Sequence, residues 1–282
     1  MERCLGMVIL AALLAVLAAC SLASEEGSNR TDNHARSASA HRSTATTKVQ
    51  AGAATTREDP DAGERTVAAA APATWDYVAL GDSLAAGVGA REGYVARYEA
   101  HIESDTDARV EVLNLGVSGQ TSSELLHALR NDESMRRALA AAEVVTFNTG
   151  INDLGHAGEA YERGACGGDD GQACLRAAVA ELEENWDAIV AEILSLRSTR
   201  NTVIRTAGLG YTPRVAEIFE PYVARVDRHI AASSATNGIP YAQPLLHDRH
   251  MSPDGVHPND DGYEVIAGRL RELGYVPLGS AR

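Results

Sequence analysis

Lysine is almost missing from this chain: Lys48 is the only one among 282 residues. Acidic residues outnumber basic ones by 39 to 25, a formal net charge of −14. Nucleic-acid phosphates attract basic surfaces, so this balance argues against a nucleic-acid partner. Aromatic residues are also scarce, with two phenylalanines in the whole chain. Residues 21–73 contain no aromatic at all, and Leu22, Val49 and Val67 are their only large aliphatics. Such a segment cannot bury enough apolar surface to offset its ordering entropy. It reads as a flexible tether, roughly 40 Å end to end as a random coil. The tether carries seven acidic and six basic residues, and Glu2 offsets Arg3, so residues 74–282 hold a net −13. This argues against tight adsorption of that domain to anionic lipid headgroups.

Cysteine is limited to four positions. Arg3 is followed by an uncharged run from Cys4 to Cys20, the charged-then-apolar layout of a secretory signal. The run closes on Leu17-Ala18-Ala19-Cys20, which resembles a bacterial lipobox. On that reading residues 1–19 are a signal peptide and Cys20 carries lipid. An uncleaved membrane anchor is the rival, at the short edge of the spanning range of about 17–25 residues. Either places the domain outside the cytoplasm, tethered in the cell envelope. Asn29-Arg30-Thr31 fits a glycosylation sequon, which a bacterial-looking lipoprotein does not use. Cys166 and Cys174 remain, flanking a glycine-rich stretch. In an exported protein they are expected to form a disulfide of structural role. Two cysteines at this spacing are too few ligands for a metal.

Residues 74–282 suit one domain of ordinary size. Short apolar runs at 75–80, 110–115, 144–148 and 202–206 read as buried strands, with a weaker one at 239–242. Helical patterns lie between them, at 122–129, 133–142, 175–196, 215–232 and 260–273. In the longest, Leu175, Val179, Leu182, Trp186, Ile189 and Ile193 recur at three- and four-residue steps as one apolar stripe. Strand and helix alternate, and no internal repeat is present. This implies an α/β fold with a parallel sheet covered by helices on both faces. Ligands of such sheets bind beyond the carboxyl ends of the strands.

Four short words carry the chemistry: Gly81-Asp82-Ser83-Leu84, Ser118-Gly119, Gly150-Ile151-Asn152-Asp153 and Asp254-Gly255-Val256-His257. The first three fall just after the first three strands. Serine is a poor nucleophile at its free pKa and needs a base beside it. Histidine titrates near neutrality and can take that proton, then return it to a leaving group. A carboxylate on the other ring nitrogen enforces the right tautomer. Ser83, His257 and Asp254 supply these three roles. Gly119 and Asn152 can supply donors for an oxyanion. Each word alone has a plainer reading as a turn, cap or loop. Asp82 and Asp153 are expected to cap or brace rather than react.

These words, in this order, resemble the SGNH hydrolases, also called the GDSL esterase/lipase family. The resemblance covers roughly residues 75–273, through Tyr77–Leu84, Asn114–Thr121, Asn148–Asp153 and Asp254–Asn259. It implies a three-layer αβα sandwich with a parallel, flavodoxin-like sheet. It implies an oxyanion hole made by the backbone N–H of Ser83, the backbone N–H of Gly119 and the side-chain amide of Asn152. The order Ser, Asp, His also matches the α/β-hydrolases, but those use a Gly-x-Ser-x-Gly elbow. The short Asp-x-x-His spacing and the Asn152 block favour the SGNH family.

The expectation is a metal-independent serine esterase or acyl-hydrolase, needing no cofactor, acting on carboxylic esters or thioesters as a monomer. Rivals are a polysaccharide O-acetylesterase of the envelope, a non-catalytic surface-binding lipoprotein, and a peptidase or amidase. A second cluster, His247, Asp248, His250 and Asp254, raises a metal site, but its spacing fits no strong zinc pattern.

Overall fold

The computed structural model describes residues 72–209 and 217–279. The expected signal peptide, Cys20 and most of the tether lie outside the described residues. Five strands form one sheet: β1 (Thr74–Gly81), β2 (Arg109–Gly116), β3 (Val144–Phe147), β4 (Val203–Ala207) and β5 (Tyr241–Ala242). They lie in the order β2-β1-β3-β4-β5, all parallel. This is the flavodoxin-like order that the resemblance implied. The last strand is shorter than its apolar run suggested, because only Tyr241 and Ala242 pair with Thr206 and Ala207.

Successive strand residues point to opposite faces, and two cores result. On one face Val78, Leu80, Val145, Phe147 and Ile204 meet α3 (Ser122–Asn131), α4 (Glu133–Ala141), α6 (Ala173–Leu196) and α7 (Glu220–Thr236). The stripe read in the sequence is the buried side of α6, and its Trp186 lies 5.2 Å from Phe147, ring centre to ring centre. On the other face Tyr77, Ala79, Val144 and Val203 meet α2 (Tyr94–Thr106) and α8 (Asp260–Glu272). The architecture is therefore a three-layer αβα sandwich.

Two helices depart from the periodicity reading. The helix α2 lies where no helical pattern was marked, and α5 (Ile151–Glu162) lies where Asn152 and Asp153 could have been a loop. Neither has a side-chain N-cap, and α5 carries Gly155 and Gly158. Packing rather than local propensity holds them. Cys166 and Cys174 are joined, with their Cα atoms 4.7 Å apart. The bridge ties the α5–α6 connection to the first turn of α6 and packs with Ala157, Leu175 and Phe219.

The strand ends are in register: Gly81 pairs with Gly116, and Leu80 with Phe147. Chain leaving β1, β2 and β3 therefore emerges at one edge of the sheet. The candidate site residues occupy that edge.

Candidate active site

Ser83 opens the short helix α1 (Ser83–Ala86) directly after β1. The turn into it needs glycine at 81, where φ is +139° and a Cβ would lie 2.5 Å from both Asn148 oxygens. Asp82 caps α1, its carboxylate accepting the Leu84 N–H at 3.0 Å. From β2, Asn114 donates its side-chain N–H to the Ala85 carbonyl at 2.7 Å. From α8, the Tyr263 hydroxyl donates to the Val88 carbonyl at 2.7 Å. The serine is thus fixed from three sides and is almost fully buried.

Asp254 and His257 share one tight loop, closed by pairing of Met251 with Pro258 and by a Ser252 N–H to His257 carbonyl bond of 2.8 Å. One Asp254 oxygen accepts the backbone N–H groups of Val256 (2.8 Å) and His257 (2.9 Å). The other lies 2.8 Å from His257 Nδ1. Burial works to raise the Asp254 carboxyl, but the His257 ring, the backbone and Ser252 outweigh it and hold it at about 2. An ionised Asp254 can only accept, so Nδ1 carries a proton, and the neutral ring then has its lone pair on Nε2. The loop lies against the chain leaving α1: a Cβ at Gly89 would sit 2.7 Å from His257 Cβ. This close approach brings the histidine and the serine turn together.

Gly119 occupies the turn after β2 with φ +82°, and a Cβ there would meet nothing within 4 Å. Its backbone faces open space. Asn152, in the first turn of α5, donates its side-chain N–H to the Gln120 carbonyl at 2.9 Å. That bond links Asn152 to the residue next to Gly119. The neighbouring Asp153 braces the same loop, accepting the Ser122 hydroxyl at 2.6 Å and its N–H at 3.0 Å. Asn185 of α6 donates to the Ser122 oxygen at 3.0 Å. Asp82 and Asp153 therefore cap and brace, as their positions suggested.

Ser83, Gly119 and Asn152 thus stand beyond β1, β2 and β3, and the Asp254–His257 loop, which follows β5, packs against Gly89 in the chain leaving α1. The disulfide stands apart, over a turn along α5 from Asn152. Cys20 is outside the described residues. The second histidine cluster is local structure: His250 sits in a 3₁₀ turn, and its Nδ1 receives the His247 N–H at 3.1 Å. No three metal-ligating side chains converge among the described residues. Sequence reasoning passed over Asn114, Asn148, Tyr94 and Tyr263. Asn114 and Asn148 open two of the quoted blocks, which was the available signal; the tyrosines carried none.

The GDSL-like Lipase/Acylhydrolase family matches residues 79–265. The spore germination lipase LipC of Bacillus licheniformis is 28% identical over 213 residues, 72% of this chain and 97% of that protein. Among solved structures, the lipase Lip_vut3 from a goat rumen metagenome aligns with a TM-score of 0.63 at 27% identity, covering 72% of this chain and 99% of its own. Axe2, an acetylxylan esterase from Geobacillus stearothermophilus, aligns with a TM-score of 0.55 at 19% identity, covering 74% and 99%. The last likeness is one of fold.

Proposed function

The chain belongs to the GDSL-like lipase/acylhydrolase family and is an ester-bond hydrolase, and on that premise we propose that Ser83 is its nucleophile, His257 its base and Asp254 the group that orients the base. The observation that carries this reading is the 2.8 Å Asp254–His257 pair, which puts the neutral ring's lone pair on Nε2, on a loop packed against Gly89 in the chain leaving the serine helix. Nε2 takes the Ser83 proton as Oγ attacks the ester carbonyl. The negative oxygen that forms is met by the N–H groups of Ser83 and Gly119 and the side-chain amide of Asn152. Collapse breaks the C–O bond, and His257 returns its proton to the departing alcohol. Water, deprotonated by the same imidazole, then attacks the acyl carbon, the bond to Ser83 Oγ breaks to release the acid, and His257 returns the proton to Oγ.

The Gln120 carbonyl holds the Asn152 amide, which suits a donor that must be set before charge develops. Asn152→Ala should lower kcat by about 10²–10³-fold with unchanged circular dichroism. Full activity in that variant would remove Asn152 from the oxyanion hole. Open space at Gly119 and an acidic domain suit a neutral ester. The p-nitrophenyl esters from acetate to palmitate read the acyl length: a maximum at acetate selects a deacetylase-like pocket, a maximum at long chains a lipase-like channel.

The N-terminal sequence supports a further part of the proposal, that Cys20 is lipidated and holds the enzyme in the cell envelope. Labelled palmitate should enter the wild-type protein and not Cys20→Ser. An unlabelled wild type would contradict the anchor.

A further inference from the structure

Asp82 is 1% exposed and remains unexplained by capping alone. The helix it caps has four residues, and a neutral serine or asparagine would accept the Leu84 N–H as well. Burying a carboxylate instead is costly unless donors surround it. The structure supplies a second donor: Asn148 Nδ2 lies 2.8 Å from the Asp82 oxygen that also takes Leu84. The Asn148 carbonyl oxygen in turn lies 3.2 Å from the Tyr94 hydroxyl. That hydroxyl is 3.5 Å from Thr146 Oγ1, which is 2.8 Å from the Tyr77 hydroxyl.

The direction of this chain is fixed by its end. Asn148 Oδ1 can only accept, so Tyr94 donates to it. With its proton used, Tyr94 accepts from Thr146, and Thr146 from Tyr77. Three buried hydroxyls, from Tyr77 on β1, Thr146 on β3 and Tyr94 on α2, therefore point their protons one way, and the Asn148 amide they orient, just past β3, presents its N–H to Asp82. The glycine at 81 exists to admit that amide, since any Cβ there would strike it.

We propose that Asn148 and Tyr94 are positioning residues that act through Asp82, holding it as a carboxylate so that it fixes the Ser83 turn and stabilises the imidazolium that His257 becomes during reaction. The inference rests on Ser83 and His257 acting as described above. Asp82 interacts electrostatically with His257, which favours its charged form, and with Asp153, which opposes it. Tyr94 from α2 and Tyr263 from α8 are the other titratable groups facing it. Burial pushes the Asp82 carboxyl up to about 6, against the Leu84 and Asn148 hydrogen bonds that lower it. Loss of the Asn148 donor pushes it further up. The carboxylate then disappears at a higher pH, and the acid limb of kcat/KM moves up with it.

The test uses the full chain with p-nitrophenyl acetate from pH 4.5 to 8.5, in wild type, Asn148→Ala, Tyr94→Phe, Ser83→Ala and Tyr98→Phe. Tyr98 is a buried tyrosine outside the chain and serves as the control. Asn148→Ala should lower kcat about tenfold or more with KM within about twofold, and move the acid limb up by about one pH unit. Tyr94→Phe, which removes one oxygen and leaves the fold intact, should shift both in the same direction by less. Tyr98→Phe should match wild type. A purely structural role would lower the melting temperature and leave the acid limb in place. Wild-type kcat and an unmoved limb in folded Tyr94→Phe and Asn148→Ala would overturn the inference while loss of activity in Ser83→Ala left the serine mechanism standing. If Asn148→Ala does not fold, Tyr94→Phe alone decides. Activity retained in Ser83→Ala would overturn both.

Discussion

Ser83→Ala is expected to lose turnover of p-nitrophenyl esters by about 10⁴-fold or more while keeping its fold. The size follows from what remains. Without Oγ there is no acyl-enzyme, and only the oxyanion donors and substrate binding are left to favour attack by water. The fold is safe because the hydroxyl is a small part of what holds the turn. Asp82 caps it through the Leu84 N–H, Asn114 holds Ala85, and Tyr263 holds Val88, all independently of the serine side chain. Thermal unfolding within a few degrees of wild type, beside the lost rate, is the expected pair of results.

Asp254→Asn is expected to cost kcat up to about 10⁴-fold, with a smaller loss of stability. In wild type Asp254 uses both oxygens: one takes two backbone N–H groups, the other takes His257 Nδ1–H. Asparagine keeps one acceptor oxygen. The two loop N–H groups claim it, so the NH₂ faces Nδ1 and donates to it. The imidazole then takes the opposite tautomer, with a proton on Nε2, and cannot accept one from Ser83. The pH dependence has a definite sign. The folded state holds the Asp254 carboxyl at about 2, below the ordinary carboxylate value. Its contribution to stability is therefore complete above the unfolded pKa of about 3.9 and is lost as pH falls through that value towards 2. Wild type should lose stability over that window, and Asp254→Asn should show a shallower fall. A variant with near-wild-type kcat would show that the carboxylate does not set the tautomer.

What could be read from the sequence were features with a local chemical signature. Strands announced themselves as apolar runs, and α6 by a stripe of six apolar residues; the run at 110–115, read as buried, is instead the edge strand β2, where only Val110 is buried and Leu113 is exposed, because no strand covers its outer side. The four words could be read because serine, histidine, aspartate and asparagine at fixed spacings mean something before any fold is known. Other parts depended on contacts between distant residues. In α2 the buried face is Tyr94, Val95, Tyr98 and Ile102, and two tyrosines on it blur the apolar pattern. In α5 the glycines at 155 and 158 argue locally against helix, and the packing of Gly158 near Phe219 explains one of them. The Tyr77–Thr146–Tyr94–Asn148–Asp82 chain joins positions up to 69 residues apart and has no sequence spacing to betray it. The same holds for Tyr263, which reaches back 175 residues to Val88.

The measurement closest to the central claim is stoichiometric labelling with a fluorophosphonate, followed by peptide mapping and residual esterase assay. One adduct per chain on the Ser83 Oγ, with activity falling in proportion to labelling, is the result expected from a nucleophile activated by His257. Esterase activity that persists in fully labelled protein, or an adduct on any other residue accompanying its loss, would contradict the assignment of Ser83.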